Sequence, residues 1–315
     1  MATSIPAVVS KGINRFIFRS QERYKPVFTR FMHTDRMDSN SIDVVGLVGY
    51  NLPTFRMPGE GVKQMSMAQG FTKRYVASIY SGLDSLPMED LETDLYNLLH
   101  SEIVSKGAAM SHAFNIQRER AVAAFWSNIG FASTSPFTAD GLGLFNTAHP
   151  IAPNTTATGA NRPSQGVSLS VTAWKNMYTN LQTQLMPDNV TYMMGEPRVL
   201  VVHPSQRNIA YQITKQMYEP NSADRNINVA RLDNVEVVHW PYFQLNGTVG
   251  ATLNPLPYNG WFVVGDRHFA HFYTRSPFRV KIDTDIRINS LLVFAQAQYT
   301  MGADDWRGLY GSPGQ

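Results

Sequence analysis

Two histidines near the C-terminal third have the side-chain type that metal chemistry requires. His268 and His271 lie three positions apart, and a pair of imidazoles can ligate a metal ion. The segment around them reads as a strand, where positions three apart face opposite sides, so joint ligation would require a bulge. Packing among the neighbouring aromatic residues is the favoured interpretation, and no metal site is predicted.

A third histidine offers acid–base chemistry. His149 precedes Pro150 and follows the acidic Asp140 in the compact motif Asp140–Pro150. Catalysis by such a pair needs a third group, and the sequence places none beside it. A hydrolase that uses His149, or the pair His268 and His271, is therefore only a remote alternative. We predict no catalytic residue, and we expect that the protein is not an enzyme.

Glycines in the same motif begin a dinucleotide-binding pattern without completing it. Gly141 and Gly143 form a GxG, but Asn146 stands where the third glycine belongs, and no buried strand precedes the motif. The chain also lacks a phosphate-binding loop, a serine nucleophile elbow and a zinc-protease motif. No cofactor is predicted.

Composition narrows the class of protein. The chain has 315 residues, 43% hydrophobic and only 16% charged, which favours burial of much surface between subunits. The absence of cysteine excludes disulfides and thiolate metal sites. A net charge of +3 is too small to indicate nucleic-acid binding by the chain as a whole. No apolar run is long enough for a bilayer span and no signal peptide is recognisable, so we expect a soluble, cytoplasmically made product without a membrane partner.

The elements that must position these residues centre on one long segment. Apolar residues recur every three or four positions through the stretch Ser85–Ser127, which predicts a single helix roughly 60 Å long. Ser85 is predicted to cap this helix, and Pro87 suits its first turn. Gly107 is the weak point of the helix and could mark a kink.

The segments before the helix are predicted to reach outward. Met1–Asp43 is locally basic, and a helical arm would bring Arg15, Arg19 and Arg23 onto one face, able to meet phosphate or an acidic partner. A solvated arm without a partner is the open alternative. Val44–Gly82 predicts a long β-hairpin with a loose tip, which needs support such as a neighbouring subunit.

The segments after the helix mix helices and strands. A small α/β domain is predicted from a helix at Val171–Leu185, a strand at Arg198–His203, a helix opened by Pro204 and a strand at Val235–Trp240. Late strands are predicted at Gly260–Thr274, Val280–Ile288 and Leu291–Tyr299, and the long helix should pack on them. Asp304 and Asp305 are expected to be solvated.

One motif carries a family resemblance. The run Leu144, Phe145, Asn146, Thr147, Ala148, His149, Pro150 resembles the signature of tailed-bacteriophage major capsid proteins, notably the Mu-like major head subunit family. Val201–Ala210 resembles the strand, proline and helix that follow it in those proteins. The order of parts is similar to the Hong Kong 97-like capsid fold, an α+β fold.

The resemblance implies a division of the chain. It implies an N-terminal arm at 1–43, an E-loop hairpin at 44–82, a P-domain with a spine helix at 83–132 and 258–302, an A-domain at 133–257, and a C-terminal tail at 303–315.

The resemblance also implies a function. It implies a major capsid protein that self-assembles into hexamers and pentamers of an icosahedral head, is assembled in the host cytoplasm, and encloses double-stranded DNA. Expected partners are further copies of the chain, a scaffolding protein, a portal, a decoration protein and DNA bound without sequence preference, with Arg15, Arg19 and Arg23 facing DNA or scaffold. Gly107 would be a hinge of the spine helix. An encapsulin-type compartment shell is the alternative.

Some relatives join subunits covalently. The implied crosslink is an isopeptide between an E-loop lysine and an asparagine, catalysed by a glutamate. Lys63 and Lys73 lie in the predicted E-loop, but no matching asparagine or glutamate can be assigned, so noncovalent assembly is expected.

Overall fold

The structure is a computed structural model that describes residues 24–50, 53–65, 67–87, 89, 98–153, 155–220, 226–243 and 259–314. Arg15, Arg19 and Arg23 lie outside the described residues. Three α-helices are present in these ranges: α1 (Leu98–Trp126), α2 (Val171–Thr183) and α3 (Arg207–Lys215). The strands are β1 (His33–Arg36), β2 (Ser41–Tyr50), β3 (Met67–Val76), β4 (Ser78–Pro87), β5 (His149–Pro150), β6 (Thr158–Gly159), β7 (Pro197–Val202), β8 (Glu236–His239), β9 (Trp261–Gly265), β10 (Ala270–Asp285), β11 (Ser290–Ala303) and β12 (Leu309–Ser312).

Two four-stranded sheets form the frame. The first, here called the body sheet, has the order β1-β10-β11-β4, with β1 parallel to β10 and the other neighbours antiparallel. The second, here called the central sheet, has the order β12-β9-β7-β8. Helix α1 joins the two sheets. Its Phe114 packs against Phe278 of the body sheet with ring centroids 4.9 Å apart, and its Trp126 stacks on Phe262 of the central sheet at 4.6 Å. Helices α2 and α3 pack on a separate apolar cluster of the central sheet that includes Trp174, Leu200 and Val263.

The long helix has the predicted end but not the predicted start. Ser85 and Pro87 form the last part of β4, which pairs with β11 over ten residues. A serine followed by a proline suits a strand end as well as a helix start, because a terminal proline removes only a hydrogen bond at the edge. The backbone of α1 is helical through Gly107. Within the described ranges, no helix combines the length and apolarity needed to cross a bilayer.

The predicted hairpin is present with shifted bounds. β2 and β3 form an antiparallel two-stranded ribbon, with Ile42 opposite Tyr75 near its base. The chain then leaves the ribbon at Ala77 and enters the body sheet. Residues 78–82 therefore lie outside the hairpin, contrary to the prediction. The reason is that β4 gains a full ladder with β11, which the sequence does not reveal.

The late strands also differ from the prediction. The segment Gly260–Thr274 is divided between the two sheets, because β9 ends at Gly265 and β10 begins at Ala270. The alternation of apolar and polar residues predicted a strand through Ile288, but β10 ends at Asp285. Asn289 adopts the left-handed backbone conformation in the turn to β11. The helix opened by Pro204 ends at Lys215, leaving Met217 exposed.

The C-terminal segment is not a tail. β12 pairs antiparallel with β9, and Leu309 opposite Val264 is fully buried in the main core. The central sheet therefore takes strands from both sides of the boundary predicted at residue 257. Alternation over four residues is too short a signal to identify such a strand.

Candidate assembly surfaces

His149 belongs to a buried packing arrangement. It is fully buried, its Nδ1 lies 2.6 Å from Oδ2 of Asp140, and its ring stacks on Trp306 with centroids 4.8 Å apart. Within the described part of the chain, Nε2 has no hydrogen-bond partner. Because the ring is sealed from solvent, a substrate has no access to it, and the pair serves packing.

The rest of the predicted motif is also structural. Leu144 and Phe145 are fully buried, and the N–H of Asn146 donates to the side chain of Asn161 at 2.9 Å. The Asn161 amide in turn donates to the carbonyls of Leu144 and Trp306 at 2.8 and 3.1 Å. The indole of Trp306 donates to the carbonyl of Pro150 at 3.4 Å. The motif thus joins the loop after α1 to the segment that leads into β12.

One acidic expectation is wrong in this region. Asp305 is not a freely solvated acid, because Nη1 of the buried Arg307 lies 2.7 Å from its Oδ2. Arg307 also donates to the carbonyl of Ile151 at 2.7 Å. Asp304 is equally engaged, accepting a hydrogen bond from the Tyr273 hydroxyl at 3.3 Å, and burial raises its pKa.

A histidine cluster lies where β1 joins β10. The rings of His33 and His268 stack with centroids 4.2 Å apart, and His271 lies 5.2 Å from His33. His271 Nδ1 lies 2.6 Å from a carboxylate oxygen of Asp35. Burial, reinforced by the two neighbouring histidines, lowers the pKa of His268 to about 3. Among the described residues, no group of three or more candidate ligands is arranged to hold a metal ion.

A buried glutamate fixes the point where the N-terminal segment enters the core. Glu119 of α1 is fully buried and accepts hydrogen bonds from the Val27 N–H at 2.6 Å and from the Trp240 indole at 2.9 Å. Desolvation raises its pKa. Phe31, just beyond the short helical turn Val27–Arg30, packs edge-on against Trp126 and Trp240. No local sequence pattern indicates this anchor, because Val27 and Trp240 lie 92 and 121 residues from Glu119 in the chain.

The hairpin is held at its base and exposed at its tip. At the base, Tyr75 is buried against Tyr273, with ring centroids 5.8 Å apart. At the tip, Phe55 is 87% exposed and Val62 is 81% exposed. Two apolar side chains on a ribbon without its own core form a surface that favours a protein partner.

A second apolar surface lies beside α2. A groove of about 250 Å³ is lined by Val171, Trp174, Tyr178 and Val229 among others, and an ion pair of 2.7 Å joins Lys175 and Glu219 at this groove. The segment that contributes Val229 to this groove also carries exposed apolar side chains, namely Met217, Tyr218, Ile227, Val229 and Leu232.

Comparisons with known proteins agree with this architecture. A family model described as phage capsid protein matches residues 90–312. Among solved structures, the capsid of cyanophage P-SCSP1u is similar at a TM-score of 0.57 and 12% identity, covering 92% of this chain and 88% of that one. A structure from Microbacterium phage Oxtober96 is similar at 0.54 and 9% identity, covering 93% and 92%.

The mature capsid of bacteriophage PhiM1 is similar at a TM-score of 0.53 and 12% identity, covering 91% of this chain and 86% of that one. A search of curated proteins gave no match. At these identities, the likeness to the three solved structures concerns the fold alone.

Proposed function

Because the chain belongs to the phage capsid protein family, it is a capsid shell protein, and we propose that its copies form hexamers and pentamers of an icosahedral head around double-stranded DNA. The fold is the Hong Kong 97-like capsid fold. Self-assembly into a multi-subunit shell and residence in the virion capsid follow from family membership. Assembly in the host cytoplasm is part of the proposal.

The exposed hairpin tip is the observation that supports this function best. Phe55 and Val62 are exposed on a ribbon that, among the described residues, packs into a core cluster at its base. A monomer gains nothing from such an arm, whereas in a closed shell each tip can be covered by a neighbour. We therefore assign residues 41–76 to the E-loop, and α1 with the body sheet to the P-domain.

The partners of the shell are proposed from the same reasoning. Arg15, Arg19 and Arg23 supply positive charge for packaged DNA or an acidic scaffolding protein, bound without sequence preference. A portal and a decoration protein complete the expected set. Assembly is proposed to be noncovalent. Lys63 is exposed at the hairpin tip, and Lys73 lies within β3 opposite Val44.

The alternatives are less favoured. An encapsulin-type compartment would share the shell architecture, but the matching family model describes phage capsid proteins. A hydrolase based on His149 is disfavoured because that ring is sealed inside the core.

Electron microscopy of purified protein, with and without its scaffold, tests the function. We expect closed shells from the wild type, and loss of shells from Phe55→Asp combined with Val62→Asp at unchanged melting temperature. Phe55→Leu is the matched control and should assemble normally. Small particles alone from the wild type under every condition would reject the proposal.

A further inference from the structure

The body sheet ends in a long strand with one unpaired side. Within the described ranges, β4 pairs only with β11, along all its positions from Ser78 to Pro87. About half of its backbone N–H and C=O groups therefore point away from the sheet, with no partner among the described strands. Such an edge is a ready template for another strand.

Natural edges of this length are usually guarded, and β4 is not. It contains no lysine or arginine, one aspartate, and a proline only at its last position. On the face away from α1, Ile79 is 59% exposed and Leu83 is 63% exposed, with Ser81 between them. The outward face is thus apolar, serine, apolar, a pattern that reads the same in both directions.

The opposite face of the strand is firmly held. Tyr80 stacks on Tyr299 of β11 with ring centroids 4.4 Å apart and an interplanar angle of 9°. A side chain at Gly82 would meet Phe114 of α1 at 3.6 Å. Because α1 and β11 fix the strand on this side, the open edge is preformed before any partner arrives.

We propose that β4 pairs antiparallel with β4 of a second copy of this chain about a two-fold axis, joining two four-stranded body sheets into one of eight strands. The inference rests on the proposed shell function. A two-fold axis perpendicular to the sheet keeps α1 of both copies on the same side, as a continuous shell wall requires.

The sequence of β4 selects one register. With Ser81 opposite Ser81 of the partner subunit, Ile79 faces Leu83 of the partner subunit on both sides of the axis, and Asp84 faces Ser78 of the partner subunit. Moving the axis to residue 83 places Ile79 against a proline, and moving it to residue 84 places two aspartates opposite each other. The register centred on Ser81 is therefore the one that pairs both apolar residues without like charges.

Cysteine crosslinking tests the pairing, because the natural chain has no cysteine. In this register the two Ser81 Cα atoms lie about 4.5–5.5 Å apart, within disulfide reach. Ser85→Cys is the matched control, since its two copies would lie about 26 Å apart along the strands. In oxidised shells, we expect Ser81→Cys to form covalent dimers about tenfold more than Ser85→Cys.

The outcomes separate this inference from the function on which it rests. Wild-type shells without preferential Ser81→Cys dimers would overturn the pairing and leave the shell function intact, whereas absence of wild-type shells would reject the function. Leu83→Lys provides an independent check, because a lysine guards an edge strand. We expect this variant to keep the wild-type melting temperature and to accumulate as unassembled subunits or capsomers. Normal shell yield would overturn the inference.

Discussion

The buried carboxylate of Glu119 accepts a hydrogen bond from the backbone N–H of Val27 at 2.6 Å, across 92 residues of sequence. Replacing it with alanine leaves that N–H and the Trp240 indole without their acceptor inside the core. We expect Glu119→Ala to lower the free energy of unfolding by about 3 kcal/mol, measured by urea denaturation.

A surface ion pair at the same segment provides the control. Glu236→Ala removes the partner of the half-exposed Arg30 and should cost only about 0.5 kcal/mol. Limited proteolysis should also show faster cleavage near residue 27 in Glu119→Ala than in Glu236→Ala. Equal stability loss in the two variants would contradict the anchoring role of Glu119.

The histidine cluster predicts acid sensitivity. The pKa of His268 falls from 6.5 to about 3 in the fold, so the unfolded chain binds the extra proton between these values and stability decreases as pH falls below about 6.5. Between pH 6.5 and 5 this amounts to at most about 2 kcal/mol. Titratable groups from each element around His268 face this cluster. They are His33 and Asp35 from β1, His271 from β10, and Asp266 and Asp304 from loops.

His268→Asn isolates that contribution. The amide oxygen can replace Nδ1 as acceptor of the Ala270 N–H, a hydrogen bond of 3.4 Å, without gaining a proton. We expect the difference in unfolding free energy between pH 7.5 and 5 to shrink in this variant. An unchanged pH dependence would show that groups other than His268 cause the acid sensitivity. Asp304 is not such a group, because its raised pKa makes the fold more stable as the pH falls.

Gly302 predicts a steric limit at the hairpin base. A Cβ there would lie 2.2 Å from the buried ring of Tyr75. Gly302→Ala should therefore cost about 1–3 kcal/mol and disturb how the hairpin leaves the body. Thermal unfolding and shell yield measure the two effects. Gly61→Ala, with open space around it, is the control, and Tyr75→Val should partly rescue Gly302→Ala.

Gly107 provides a test of the proposed spine-helix hinge. Gly107→Ala replaces a helical glycine and should raise subunit stability by up to about 1 kcal/mol. If α1 bends there between shell states, the same change should hinder expansion or assembly. Gly107→Ala combined with Ala109→Gly moves the flexible residue by two positions and controls for helix propensity. Identical α1 curvature in cryo-EM maps of every shell state would argue against the hinge.

Periodicity predicted the elements that are long and locally consistent. α2 begins and ends within two residues of its predicted bounds, because Trp174, Met177 and Leu181 repeat at helical spacing and all three are buried. Two strands of the central sheet, β7 and β8, lie within one residue of their predicted bounds, since each contains a run of buried apolar residues.

Long-range pairing explains what the sequence did not show. His33 stacks on His268, and the Asn161 side chain donates hydrogen bonds to the carbonyls of Leu144 and Trp306. These partners are far apart in the sequence, so no helical or strand periodicity connects them. The boundary of β4 was missed for the same reason, because its ladder with β11 outweighs the helix-start signal of Ser85 and Pro87. Such contacts depend on topology, which a single sequence leaves open.

The central sheet has a consequence for synthesis on the ribosome. Its inner strand β9 needs β12, which begins 44 residues after β9 ends, and Leu309 of β12 lies in the main core. A nascent chain that has not yet released residues 309–312 therefore cannot complete this core. We therefore expect a subunit to reach its assembling shape only when nearly all of the described chain has emerged from the ribosome, which disfavours engagement between incomplete copies.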